Sequence, residues 1–324
     1  MDLQDLQELN KHRRKFTIFV MLSIICTIAF VLCFIFANRI PKVGLFIALL
    51  IIASLVSFII SMFALNKVDS SLLTYVLSQF PGWEKFRGIH DKKKKFMNEL
   101  VARKVLFSTV FPEYHNKYRE DDEPTYEAIF TNNGNNLTKL ITEVEYCEYE
   151  RREHRNKKTG KTEDKYITTA QFNADIIIVK NTKNINSITY FQTNNYPEKT
   201  DKKIMEEKSK SELSKIELTN ASENNIDVYG NNPLIAEKLA SKELCSALQN
   251  IKEQFKSYYV KIVFYDDNII VVLRHNERFG GSFPLLIKIP WFKNIDYPLI
   301  EQAVNNFKMF TDIANQAPEF TKNI

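Results

Sequence analysis

From Phe16 to Ala37, and again from Val43 to Leu65, the chain is almost continuously apolar. Only Thr17, Ser23, Thr27, Gly44, Ser54, Ser57 and Ser61 interrupt the two runs, and neither run contains an Asp, Glu, Lys, Arg or His. At ~1.5 Å rise per residue, either run is long enough to cross a hydrocarbon layer of ~30 Å as a helix, which satisfies its own backbone groups. The five residues Asn38 to Lys42, with Pro41 among them, are too few for a domain. The pattern therefore predicts a two-helix transmembrane hairpin (16-37 and 43-65) with both outer ends on one side. A cleaved signal peptide fits poorly, because Phe16 to Ala37 is too long for an h-region and lacks a small-x-small cleavage site. Cys33 follows Phe30, Val31 and Leu32, a poor lipobox.

Beyond the hairpin the periodicity changes. Leu72, Leu73, Val76, Leu77 and Phe80 make a helical face that follows the cap-capable Asp69 and Ser70 and stops at Pro81-Gly82. A further helix is expected from Asp91 to Val110, striped by Phe96, Leu100 and Phe107, with Lys92, Lys93, Lys94 and Lys95 in its first turn. Lysines there oppose the helix dipole, so local helix stability does not explain them. They are either a solvated charge run or a contact for anionic lipid headgroups. A charged connector, Tyr118 to Pro124, leads to two strands, Glu143 to Arg155 and Glu163 to Val179. Lys157, Lys158 and Lys161 crowd the hairpin tip between them, as a solubilising edge or as a contact for an acidic partner.

Residues 197 to 215 are charged and poor in apolar side chains. Short strands are expected at Ile216 to Leu218 and Ile226 to Tyr229, then a helix from Pro233 to Phe255. A compact hairpin follows, Tyr258 to Tyr265 and Ile269 to Leu273 around Asp266-Asp267-Asn268, and Leu285 to Ile289 is a further strand candidate. A last helix starts near Asp296, with Pro298 in its first turn. Strands followed by helices without βαβ alternation indicate an α+β domain rather than a doubly wound sheet. The expected organisation is a basic cytoplasmic tail (1-15), the hairpin (16-65), a helical connector (66-117) and an α+β soluble domain with antiparallel strand pairs (118-324).

Composition adds a boundary and charge adds a direction. With 24 Phe and 14 Tyr, 8 Gly and 4 Cys, the chain is neither disordered, collagen-like nor a disulfide scaffold. Of 44 basic and 39 acidic residues, six and three precede residue 66, so the large remainder is almost neutral and lacks the basic excess of a nucleic-acid binder. Lys11, Arg13, Arg14 and Lys15 before the hairpin, and Lys67, Lys85 and Arg87 after it, outnumber Arg39 and Lys42 in the connection. The basic excess on both outer flanks predicts a multi-pass cell-membrane protein with both termini cytoplasmic. The absence of ionisable residues in the runs removes the usual signature of an ion or proton pathway.

Sequence-local chemistry is scarce. His12, His90, His115, His154 and His275 fall in no HExxH or HxH grouping, and there is no CxxC, GxGxxG, Walker-type loop or GxSxG. Gly280-Gly281-Ser282 reads as a plain turn and Arg274-His275 as a solvated strand end. The acids from Glu120 to Glu123 lack the glycine and alternating ligands of a calcium loop. No cofactor and no metal is expected, and the catalytic residues, if there are any, are unknown.

Ile216-Glu217-Leu218, a polar turn, Ile226-Asp227-Val228-Tyr229, the helix from Pro233 and the hairpin through Leu273 resemble the end of the DUF3137 family of uncharacterised bacterial membrane proteins. Two N-terminal membrane helices and a basic strand pair like Glu143 to Val179 extend the resemblance to residues 10 to 275. At the turn positions that are usually aromatic in that family, this chain has Asn220, Ala221, Asn224 and Asn225. The resemblance implies no established activity, and it implies a LemA-like membrane protein as a partner. The leading expectation is a non-enzymatic anchor that presents its α+β domain for protein or lipid-headgroup binding. The alternatives are a membrane-tethered enzyme with a non-local active site and an accessory subunit of a transport complex. A deep pocket with converging acids or histidines would favour the enzyme, and a shallow apolar patch would favour binding.

Overall fold

The computed structural model describes residues 3-35, 43-85, 128-132, 138-155, 162-193, 213-255, 259-274, 294-322 and 324. The chain divides into two compact units: Met1–Pro81 with Pro284–Lys308, and Gly82–Phe283 with Met309–Ile324.

The first unit is built on two long helices, α1 (Leu3–Ile35) and α2 (Val43–Ser78). Both exceed the expected spans. The basic stretch from Lys11 to Lys15 is helical and continues without a break into the apolar run. At the other end, the expected second helix beginning at Asp69-Ser70 is instead the last part of α2. No Gly or Pro lies between Leu65 and Ser78, so helix propagation overrides two residues that could have capped a new start. The stop is where the sequence placed it: Gln79 and Phe80 donate to Val76 and Leu77 at 3.0 Å, and Gly82 takes φ +87°.

Among the described residues the second unit forms one nine-stranded sheet whose pairings are all antiparallel. Its strands are β1 (Trp83–Lys85), β2 (Ala128–Asn132), β3 (Thr138–Arg155), β4 (Thr162–Lys180), β5 (Ile188–Thr193), β6 (Ser214–Lys215), β7 (Ile226–Gly230), β8 (Tyr259–Tyr265) and β9 (Asn268–Arg274). The spatial order is β1-β2-β3-β4-β9-β8-β5-β7-β6, so the strand pair β3/β4 and the hairpin β8/β9 become neighbours through β4 and β9. Antiparallel strands and separate helices agree with the α+β expectation, and the expected pairs fuse into a single sheet.

Among the described residues, three helices of the second unit intervene among the strands: α3 (Thr219–Glu223), α4 (Pro233–Leu239) and α5 (Lys242–Phe255). Two expectations are corrected here. Ile216 to Leu218 is not a strand, although the Ile216 amide still donates to Val228 at 2.9 Å; the polar turn after it winds into α3. The single helix expected from Pro233 to Phe255 is broken at Ala240-Ser241. Ser241 Oγ accepts from the Leu244 amide at 3.1 Å and starts α5 afresh. The final helix, α6 (Tyr297–Gln316), begins where expected, with Asp296 Oδ1 accepting from the Leu299 amide at 3.1 Å.

At the centre of the sheet both faces are buried. Along β9 the five residues Ile269 to Leu273 are all at most 1% exposed, and all six residues of β5 are buried. Continuous apolar strands, rather than alternating ones, follow from that double coverage. Phe191 and Phe264 meet edge to face at 6.0 Å, and Phe255 of α5 packs on Phe310 at 5.0 Å.

Candidate membrane hairpin and buried polar row

Of the exposed large apolar side chains among the described residues, all but Leu3, Leu234 and Tyr297 lie between Ile18 and Phe63. Ile25 is 57% exposed, Val56 49% and Phe63 72%. An apolar face of this size marks a surface that meets something other than water. By length and composition both helices can cross a membrane. Between them the contact is made by small hydroxyl residues. Ser23 Oγ and Thr27 Oγ1 lie 3.1 and 3.2 Å from Ser54 Oγ, while Ser61 is fully buried and bonds back to the Phe58 carbonyl at 2.7 Å. Short polar side chains let helix backbones approach and hydrogen-bond across an apolar interface.

Where the apolar surface ends, α1 and α2 close on the segment before α6. Leu9, Val68, Leu72, Ile295 and Ile300 form a small core, each at most 3% exposed. Asn10 clasps the backbone of Ile295 from both sides: its Nδ2 donates to the Ile295 carbonyl at 2.8 Å, and its Oδ1 accepts from the Ile295 amide at 2.7 Å. Arg13 is buried and its Nη2 donates to Asn294 Oδ1 at 2.7 Å. Nothing in the helical periodicity of residues 3 to 15 signals this docking, because the partner lies 285 positions away.

The second unit holds a polar row inside its apolar sheet. The register sets Lys261 of β8 opposite Val272 of β9 and Gln192 of β5, and Gln192 opposite Asp227 of β7. Lys261 is fully buried and Gln192 is 2% exposed. Lys261 Nζ sits 4.7 Å from the centroid of the Tyr190 ring, and Tyr190 stacks on Tyr229 at 5.0 Å. Burial lowers the Lys261 amine to about 7 and raises the Tyr190 hydroxyl above its ordinary value. At the more open end of the row, Lys215 Nζ lies 3.0 Å from Asp227, and that hydrogen bond raises the Lys215 ammonium. Gln192 Oε1 is buried without a hydrogen-bond partner among the described residues.

A lysine that is half neutral near pH 7 has the chemistry of a base or a nucleophile. Lys261 is fully buried, so its titration bears on the stability of the sheet rather than on an exposed ligand. Sequence reading passed over Lys261, although a single lysine in the otherwise apolar run Tyr259 to Tyr265 is a legible sign of a buried amine.

The expected site residues Lys92, Lys93, Lys94, Lys95, Lys157, Lys158 and Lys161 lie outside the described residues, as do His275, the Gly280-Gly281-Ser282 turn, the Asp91 to Val110 helix and the Leu285 to Ile289 strand. Arg274 is not the solvated strand end that was expected: it is half-buried on β9, and burial lowers its guanidinium to about 10. Among the described residues no three His, Cys, Asp or Glu side chains converge as a metal site would need. No family model matches the sequence, and neither a curated protein nor a solved structure is similar to it.

Proposed function

We propose that this chain is a multi-pass cell-membrane protein, anchored by the α1-α2 hairpin, whose sheet unit is held at the cytoplasmic face to bind another protein. The observation that carries the reading is the exposed, charge-free apolar surface from Ile18 to Phe63. Removing large apolar side chains from water contributes ~1.5–3 kcal/mol each, so lipid is the environment that makes such a surface stable. The basic residues Lys11, Arg14, Lys15 and Lys67 border that surface at the outer ends of the two apolar runs, which favours a cytoplasmic orientation. Lys92 to Lys95 belong to the same reading as contacts for anionic headgroups, at ~1 kcal/mol per lysine near the surface. The resemblance to the DUF3137 pattern, and with it a LemA-like partner, remains part of this proposal.

Alkaline carbonate extraction of cell membranes tests the anchor: the full chain should stay in the membrane pellet, and release into the supernatant would refute it. Orientation needs a reporter other than Cys245, whose thiol is buried and shifted up by that burial. The exposed position of Glu237, as Glu237→Cys in a chain with its native cysteines replaced by serine, supplies one. It should resist a membrane-impermeant thiol reagent in intact cells and react once the membrane is opened. Labelling in intact cells would reverse the orientation.

A further inference from the structure

The charges at the outer end of the hairpin are sorted by depth. α1 and α2 keep one antiparallel register: Ser23 meets Ser54, and fourteen residues further along each helix Leu9 and Val68 share one small core. Positions on both helices can therefore be placed on a single axis at ~1.5 Å per residue. On that axis Lys67 stands level with Asn10, in keeping with its contact to Glu8 at 3.9 Å, and Asp69 stands level with Glu8. Outward from Phe16 come Lys15, Arg14, Lys11 and Lys67, all exposed. Between Asn10 and Phe16, and between Ser61 and Lys67, neither helix has a carboxylate; Glu8 and Asp69 lie farther out, and Asp5 beyond them. Arg13 is the cation that does not join this layer, because it is buried and its Nη2 donates to Asn294 Oδ1 at 2.7 Å.

From Lys15 to the level of Lys67 the basic layer is ~7.5 Å deep. A bilayer of ~40–45 Å around a ~30 Å hydrocarbon core has a headgroup region of ~5–7.5 Å on each side, so the two depths agree. The layer is also continuous with the apolar surface: Phe63, 72% exposed, stands level with Arg14. Long basic side chains can lay their stems on such a surface and hold their charges among headgroups. Cations of both helices converge there, since Lys67 and Lys15 add to burial, the larger cause, in holding the His12 imidazole below its ordinary value. We propose that Lys11, Arg14, Lys15 and Lys67 form a binding belt for the phosphate groups of anionic lipids in the leaflet around the outer end of the hairpin. The proposal rests on the membrane reading and adds to it a lipid class and the residues that select it. Charge complementarity is the argument: a layer of exposed cations free of carboxylates lies at the depth where a bilayer carries its phosphates.

The test uses the full chain reconstituted in phosphatidylcholine bilayers with a trace of spin-labelled lipid, either phosphatidylglycerol or phosphatidylcholine. The motionally restricted fraction of each label reads its association with the protein. Restriction of phosphatidylcholine reports the membrane anchor, and preference for phosphatidylglycerol reports the belt. A background of Lys92→Gln through Lys95→Gln keeps that second basic run out of the result. There the preference should be roughly fivefold, the ratio for one basic side chain beside one headgroup, and should shrink at high salt. Lys11→Gln, Arg14→Gln, Lys15→Gln and Lys67→Gln together should abolish it. Arg13→Gln should retain it while accelerating amide exchange at residues 294 to 300. Glu8→Gln, which removes the carboxylate beside Lys67, should raise it, a direction that loss of folding cannot mimic. Restriction without preference, a preference that survives loss of the four cations, or an equal loss from Arg13→Gln would overturn the belt and leave the anchor standing. Loss of the preference on adding millimolar soluble glycerol phosphate would make the ligand a free phosphate and overturn the lipid assignment. Restriction of neither lipid would overturn both readings.

Discussion

Replacing Lys261 with methionine should abolish a pH dependence that the wild-type sheet carries. In the folded chain the amine sits at about 7, against 10.5 for an ordinary lysine, because burial penalises its charge. Below pH 7 both folded and unfolded chains are protonated there, and the full cost of a buried ammonium weighs on the folded state. Between pH 7 and about 10.5 the unfolded chain holds the proton while the folded chain has lost it, so stability rises with pH. At most one proton is involved, so the slope approaches but does not exceed ~1.4 kcal/mol per pH unit. Between pH 7.5 and 9.5 this gives roughly 2 kcal/mol, or about 1 M in a urea midpoint at ~2 kcal/mol per molar. Lys261→Met keeps the length of the side chain without its charge and should be more stable than wild type at pH 7. Urea unfolding in micelles at several pH values, followed by amide exchange of residues 260 to 273, reads the effect. Parallel pH profiles for the wild type and Lys261→Met would show that this amine does not titrate in the interior, and would refute the reasoning.

Three further outcomes follow from single contacts. Asn10→Ala removes both bonds to the Ile295 backbone and orphans two buried polar groups, at ~2–4 kcal/mol together, so amide exchange around residues 294 to 300 should accelerate at least tenfold. Asn10→Asp keeps the acceptor for the Ile295 amide and should show a smaller acceleration. Ser241→Ala deletes the cap that starts α5 and should destabilise the sheet unit by ~1 kcal/mol, whereas Ser241→Asp should lose little; thermal unfolding separates the two. Phe310→Ala, which empties the site packed on Phe255, should cost ~3–5 kcal/mol in urea unfolding of the full chain.

What the sequence reveals here depends on the range of the interaction. The two apolar runs, the strand pair flanking residues 156 to 161, the Asp266-Asp267 turn and the Asp296 start of α6 all arise from neighbours a few positions apart, and periodicity or turn chemistry exposes them. Asp266 takes φ +50°, the backbone state that makes Asp a turn residue. Local signals also mislead when a longer element absorbs them. Asp69 and Ser70 resemble a helix start but lie inside α2, and Ser241 resembles any helical serine but breaks one helix into two. The union of β4 with β9, the Asn10 clasp and the polar row around Lys261 join residues far apart in the chain. No window of sequence holds both partners, so these features emerge only when the sheet order and the helix ends are seen together.

Spin labels placed along α2 offer the most direct measure of whether the hairpin lies in lipid. With the full chain reconstituted in bilayers, a label at Val56 should be far more accessible to oxygen than to a water-soluble nickel complex. The ratio should fall through Phe63 and reverse at the exposed position of Thr74, beyond the apolar surface. Nickel accessibility at Val56 equal to that at Thr74 would place the apolar surface in water or against protein and contradict the anchor.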